Sequence, residues 1–384
     1  MVILSIETSC DETAVSIVEA KGSQKKPSFK LLGNALFSQA KLHAKYGGVY
    51  PNLAKREHIK NIPLLFKVAL QEAGLYKKRT SKISKNSEVG VRKILVREPE
   101  LADFLIKFGK SVKKAKIDLI AVTNGPGLEP ALWVGVNFAR ALGVLWNVSV
   151  TPINHMEGHF VSVLFNGPKF FRFPALALLI SGGHTELVLS KKILQYKIIG
   201  ETRDDAVGEA YDKVARMLSL PYPGGPHIAK LAEKIRKTKK VSKYSLPRPM
   251  LNTANYDFSF SGLKTAVLYT LKKEKNTTKR VKEEIAFEFE NAVTETLIKK
   301  TKKAIEEFKP KSLVVSGGVI SNVHLRKSFE KLANSYPEIS LFIPEKNLST
   351  DNSVMIAVAG FIRSKSNKIR KNNNIRASGT LSLS

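Results

Sequence analysis

His155 and His159 stand four residues apart in the run Asn154-His155-Met156-Glu157-Gly158-His159. On a helix that spacing puts both imidazoles on one face, where together they can hold one divalent ion. The pattern differs from the zincin motif, in which a Glu directly after the first His is the general base. Met156 fills that place here, and Glu157 lies one step on, rotated off the ion-facing stripe. Two imidazoles need a further ligand, and Asp351 in Ser349-Thr350-Asp351-Asn352 is the candidate. It lies in the second half of the chain, so such an ion is expected to bridge a cleft.

Other residues suit anionic or acid–base chemistry. Three Gly turns follow strand-like runs: Ser181-Gly182-Gly183-His184, Gly224-Gly225 and Ser316-Gly317-Gly318. Gly lets a backbone approach closely and presents N–H groups to anionic oxygens, which points to a nucleotide or an acyl-adenylate. Asn322, after the last turn, is equally an N-cap or a purine contact. Asp11 and Glu12 sit at the tip of an expected hairpin; in a cleft they would orient water, metal or phosphate. Glu209 and Asp212 share one face of a helix expected over 206–218, and ion pairs with Lys213 or Arg216 are their other use.

Two kinds of element must carry these groups, and each occurs twice. Residues 1–20 and 174–190 both read as a β-rich run, a polar turn and a second β-rich run. Residues 117–145 and 311–333 both read as strand, Gly turn and helix. This internal duplication predicts two related α/β domains facing each other across a cleft. The expected boundaries are 1–150 for the first domain and 151–363 for the second, which carries a helical insertion. A basic, partly helical insertion over 76–116 holds 13 Lys or Arg against 4 acids, and residues 364–384 read as a flexible basic tail.

Composition narrows the partners. The 384 residues carry 63 Lys plus Arg against 33 Asp plus Glu, a formal net charge of +30. Such a field favours RNA, DNA or an anionic membrane surface, though a generally basic proteome gives the same number. The single cysteine, Cys10, excludes an internal disulfide and fits a reducing compartment. Glu7, Asp11 and Glu12 interrupt any signal-peptide apolar region. With no uncharged apolar run of roughly 18–20 residues, a soluble, cytoplasmic chain with no membrane contact is expected.

The motifs taken together resemble the TsaD family, formerly called glycoproteases, along nearly the whole chain. They include Ile6-Glu7-Thr8-Ser9-Cys10-Asp11-Glu12-Thr13, Gly125-Pro126-Gly127-Leu128, His155-Met156-Glu157-Gly158-His159 and Ser181-Gly182-Gly183-His184-Thr185. Tyr222-Pro223-Gly224-Gly225-Pro226, Asp257-Phe258-Ser259-Phe260-Ser261-Gly262-Leu263-Lys264-Thr265, Ser316-Gly317-Gly318-Val319 and Thr350-Asp351-Asn352 continue the set. The resemblance implies the α/β actin-like ATPase (ASKHA) fold, two duplicated RNase H-like domains around a central cleft. It implies Fe²⁺ or Zn²⁺ on His155, His159 and Asp351. It also implies threonylcarbamoyl-AMP on Leu179, Ile180, Ser181, Gly182, Gly183, Asp212, Gly225 and Asn322, in a cleft that would equally take ATP or AMP. The implied reaction transfers threonylcarbamoyl to N6 of the tRNA adenosine just 3′ of the anticodon, in tRNAs reading codons that begin with A, and releases AMP. Asp11 or Glu12 would orient or deprotonate the amine. TsaB-like and TsaE-like proteins are the implied partners, with a homodimer or heterodimer left open. A metallopeptidase and a non-catalytic nucleotide-binding partner are the rival readings. The chain departs from the family pattern at Asn52-Leu53-Ala54-Lys55-Arg56-Glu57-His58, at Leu128-Glu129-Pro130 and in the basic insertion.

Overall fold

The computed structural model describes residues 1–80, 82–167, 170–238, 241–366 and 374–383. The chain divides into two compact units, one of Met1–Ala40, Val49–Phe170 and Asp351–Leu383, the other of Lys41–Gly48 and Phe171–Thr350.

The first unit is built on β1 (Val2–Glu7), β2 (Glu12–Ser23), β3 (Lys26–Ser38), β4 (Leu119–Gly125) and β5 (Val150–Asn154). They lie in the order β3-β2-β1-β4-β5. β1, β2 and β3 form an antiparallel meander, and β4 and β5 run parallel to β1. The near-continuous apolar run of β1 has a simple cause: both faces of its sheet are covered. Leu4 and Ile6 enter a core with Phe66 of the helix Pro51–Glu72 and Phe138 and Trp146 of the helix Glu129–Trp146. The Phe66 ring stands 5.6 Å from each of those two rings. On the opposite face Ser16, the register partner of Ser5, meets Ser353 of the helix Ser353–Ser364 at 2.5 Å. Strand alternation puts Glu7 on that same face.

The second unit repeats the plan. β6 (Ala175–Ile180), β7 (Thr185–Lys192), β8 (Gln195–Glu201), β9 (Ser312–Ser316) and β10 (Ser340–Phe342) lie in the order β10-β9-β6-β7-β8. Again three strands form an antiparallel meander and two run parallel to its first strand. Two sheets with the same order and directions are the duplicated α/β plan of the actin-like ATPases. The helices Gly224–Lys237 and Lys279–Phe308 pack on one another and close a core around Phe258, Phe260, Phe289 and Phe329.

Two differences from the sequence-based organisation have physical causes. Residues 151–170 and 351–363, expected in the second domain, belong to the first unit. Every residue from Ser353 through Ile362 is buried, so this apolar helix sits where its surface is covered, whatever its place in the chain. The tail, expected to be flexible, is seated over residues 374–383. Ile375, Ala377 and Leu383 are buried, Ser378 N donates to Asn124 O at 2.9 Å, and Gly127 N donates to Gly379 O at 3.1 Å. A Cβ at Gly125, whose φ is +150°, would lie 2.1 Å from Ser378 O, so only Gly permits this approach. The basic stretch at 368–371 lies outside the described residues. Among those described, no helix is long and apolar enough to cross a membrane.

Two predictions follow from the packing. Glu157 is fully buried and held by Arg363, with Nε 2.7 Å from Oε1 and Nη2 2.5 Å from Oε2. Arg363→Met leaves that carboxylate unpaired and is expected to cost about 3–5 kcal/mol, read by urea denaturation. In the second unit Glu186 faces Glu201 directly across β7 and β8. Burial, then the Glu201 charge, pushes the Glu186 carboxyl up to about 7. A carboxyl that binds its proton more tightly folded than unfolded loses stability as pH rises from its unfolded to its folded value. Glu186→Gln should therefore raise the urea midpoint at about pH 8 and change it little at about pH 4.

Candidate functional site

The first unit gathers the metal-ligand candidates. Asn154 ends β5 and caps the helix His155–Val161, its Oδ1 accepting from Met156 N at 2.8 Å and Glu157 N at 3.2 Å. The Asn154 amide also donates to Leu381 O and Ser382 O of the seated tail. The helical spacing brings the two imidazole centroids to 4.7 Å. Asp351, just before the helix Ser353–Ser364, turns Oδ1 to within 3.0 Å of His159 Nε2 and 3.4 Å of His155 Nε2. The three ligand atoms lie within 4.8 Å of one another. All three residues belong to one unit, so the expected bridging between halves is corrected: the chain returns to the first unit at Asp351.

The donor set fits a divalent ion. Ligands about 2.0–2.2 Å from a tetrahedral centre stand roughly 3.4 Å apart, close to the separations between Asp351 and both rings. Two imidazole nitrogens and a carboxylate suit Fe²⁺ or Zn²⁺. A buried network orients the first ring. Glu7, fully buried, takes His155 Nδ1 at 3.1 Å, Thr123 Oγ1 at 2.5 Å and Ser9 N at 2.6 Å. A carboxylate on Nδ1 fixes the proton there and leaves Nε2 free to coordinate. His159 Nδ1 is buried with no hydrogen-bond partner among the described residues.

Charges within this cluster shift one another. Burial pushes the Glu7 carboxyl up, but the His155 ring outweighs it and holds Glu7 below the ordinary range. For Asp351, burial is likewise outweighed, by His155 and then His159, and its carboxyl sits well below the ordinary range. His155 is raised well above the ordinary imidazole because Asp351 and Glu7 overcome its burial. At the turn between β1 and β2, Glu12 is raised well above the ordinary carboxyl by burial, then Asp11, then Asp351. Its Oε1 accepts from Ser38 Oγ at 3.0 Å. His58 braces the same turn, with Nδ1 2.7 Å from Thr13 Oγ1 and Nε2 3.0 Å from Cys10 O.

The second unit holds a pocket of about 670 Å³, whose lining includes Gly182, Tyr211, Asp212, Gly225, Glu290 and Asn322. A Cβ at Gly182, Gly183 or Gly225 would meet nothing within 4 Å. These glycines therefore leave backbone open to a ligand instead of relieving a clash. Asp212 Oδ1 accepts from Gly224 N at 2.7 Å and fixes that turn. Asn322 is an N-cap: its Oδ1 accepts from His324 N at 2.8 Å and Leu325 N at 3.1 Å, and its Nδ2 donates to Glu290 at 2.6 Å. Glu290 also takes Arg236 Nη2 at 2.8 Å.

The expected donor loop divides. Ser181 is buried at 6 % exposure, its Oγ accepting from His184 N at 3.1 Å. Leu179 and Ile180 are fully buried at the end of β6, Ile180 within the core, and neither lines the pocket. Gly183 is exposed and does not line the pocket. Sequence reasoning missed Glu7, Tyr211, Arg236 and Glu290. Tyr211 is 2 % exposed with its hydroxyl unpartnered among the described residues. Glu290 was signalled by an acid beside Phe289 on the apolar stripe that runs through Val293 and Leu297.

His159→Ala should abolish stoichiometric Zn²⁺ binding. Glu7→Gln should weaken it about 10–100-fold while leaving the ligands in place. Equilibrium dialysis against a competing chelator reads both.

A sequence profile for TsaD, described as tRNA N6-adenosine threonylcarbamoyltransferase, matches residues 30–85 and 95–358. The tRNA N6-adenosine threonylcarbamoyltransferase of Francisella tularensis subsp. holarctica (strain LVS) is 41% identical over 363 residues, 94% of either chain. The protein of that name from Thermosipho africanus (strain TCF52B) is 40% identical over 362 residues, again 94% of each. The one from Chromobacterium violaceum is 40% identical over 369 residues, 95% of this chain and 94% of its own. Likeness of this degree over nearly the full length reflects common descent, and the chain belongs to the TsaD family.

Proposed function

We propose that the chain transfers a threonylcarbamoyl group to N6 of an adenosine in tRNA. The observation that carries this is the near full-length likeness, at 41% identity, to a protein named for that activity. In the finer reading the donor is threonylcarbamoyl-AMP and the acceptor is the adenosine just 3′ of the anticodon, in tRNAs reading codons that begin with A. An exocyclic amine is a weak nucleophile, so the carbonyl must carry a good leaving group, and a mixed anhydride with AMP supplies one. N6 attacks the carbamoyl carbon and a C–N bond forms. The C–O bond to phosphate breaks, AMP leaves with the electron pair, and the amine proton goes to a carboxylate.

Asp11 or Glu12, at the turn between β1 and β2, would take that proton or orient the amine. The pocket of the second unit would hold the adenylate. Backbone at Gly182 and Gly225, which border that pocket, would face its oxygens, with Asp212 and Asn322 fixing the walls. His155, His159 and Asp351 would hold one Fe²⁺ or Zn²⁺ ion, which would supply Lewis-acid stabilisation of negative charge on oxygen. A tRNA acceptor supports a cytoplasmic location, and TsaB-like and TsaE-like proteins would be the partners of a TsaD-family chain. A peptidase reading lacks its base: Glu157 is bound at both oxygens by Arg363.

The test is nucleoside analysis of tRNA after incubation with ATP, threonine, bicarbonate, an adenylate-forming enzyme and the partner proteins. Threonylcarbamoyladenosine is expected only when this chain is present, and Asp351→Ala should lower its formation at least about 100-fold. No modified nucleoside from the complete mixture would overturn the reading.

A further inference from the structure

The profile match breaks between residues 85 and 95, inside the helix Lys85–Ile94. Around that break the fold assembles a feature absent from the linear sequence. Lys78 and Val112 form an antiparallel bridge, closed by Arg79 N to Ser111 O at 3.0 Å and Lys113 N to Lys77 O at 2.8 Å. The bridge lays Lys77, Lys78 and Arg79 beside Lys113, Lys114 and Lys116. Val112, Ala115 and Ile117 are buried between the cations, which anchors the ribbon and leaves all six cations exposed. None of the six has an ion-pair partner among the described residues.

Beside the ribbon lies an open groove of about 720 Å³, lined by Lys78, Arg79, Thr80, Lys107, Lys110 and Asp103, among others. Asp103, its one acid, is engaged by Arg92 of the helix Lys85–Ile94 at 2.9 Å. The same helix gives Glu88 to Lys110 at 3.2 Å. The pairing cancels one acid and one base, so the groove keeps its positive sign through Lys78, Arg79 and Lys107.

We propose that this ribbon and groove bind the phosphate backbone of an RNA, and that this RNA is the tRNA substrate. The proposal rests on the transferase reading for the identity of the RNA. The observations favour RNA over a protein partner. The ribbon presents cations of one sign without ion-pair partners, which suits a repeating line of phosphates. A folded protein partner would have to bury and pair each of them. Phosphate contacts of this kind position a nucleic acid without reading its sequence, so the segment would add affinity for every acceptor tRNA alike.

The experiment uses the full chain and an unmodified tRNA transcript, without adenylate, in a filter-binding titration from about 50 to 300 mM salt. Each phosphate contact adds roughly 0.7–0.9 to the slope of log affinity against log salt. Lys77→Gln, Lys78→Gln, Lys113→Gln and Lys114→Gln in one chain should weaken binding at least about tenfold at low salt and flatten the slope by about 3. The same four changed to Arg should keep the slope, and AMP binding should be the same in all three proteins. A slope unchanged in the Gln variant overturns the proposal. So does equal loss in the Gln and Arg variants, which would mark a structural role. Because binding is read without transfer, a chain that binds tRNA through these residues yet transfers nothing would refute the transferase reading and leave the ribbon standing.

Discussion

A carboxylate with no access to water organises the first unit. Glu7 ends β1, and its oxygens are taken by the Ser9 amide, the Thr123 hydroxyl and the His155 ring. A buried charge is tolerated only when it is paired and hydrogen-bonded, and each of these partners comes from a different part of the sheet and its turns. The turn after β1, the end of β4 and the start of the helix His155–Val161 are thereby tied to one point. The same tie points the His155 Nε2 at Asp351. What reads as a metal-ligand cluster is equally the solution to a burial problem.

The other ligands are held by packing of a different kind. Asp351 is fixed because the helix behind it, Ser353–Ser364, is apolar on nearly every side and fills one face of the first sheet. Arg363, near the end of that helix, reaches Glu157 on the helix that bears the two histidines. The two helices are thus joined at two points, once through Glu157 and once through Asp351 and His159. Even the tail takes part, since Leu381 and Ser382 carbonyls receive the amide of the capping Asn154. Rigid support of this sort fixes the positions of the three ligand atoms.

The second unit solves a different problem, that of leaving space. Its glycine turns at Gly182 and Gly225 border a volume that side chains could have filled. Asp212 and Asn322, which the sequence suggests as ligand contacts, brace the walls through backbone N–H groups. The buried Glu290 joins the half-buried Arg236 and Asn322 in one polar network along them. Walls held from behind in this way keep a cavity of about 670 Å³ open.

Much was legible from residue order alone. The i, i+4 histidines, the strand–turn–strand openings of both halves and the strand–Gly turn–helix units are local patterns, set by helix and strand periodicity and by glycine's freedom at turns. The duplicated α/β plan therefore emerged as sequence reading expects, while the order of the strands came from the fold. Long-range closure was not legible. No local rule says that an apolar helix after Asp351 returns to the first sheet, that residues 374–383 settle against Gly125 and Gly127, or that two lysine runs separated by two helices become neighbours. The cause is the same in each case: an apolar surface or an open backbone hydrogen bond is satisfied by whatever the completed fold puts within reach. Glu7 shows the limit most plainly. An acid ending a hydrophobic strand reads as the onset of a turn, and only the tertiary structure supplies the hydroxyl, the amide and the imidazole that make its burial affordable.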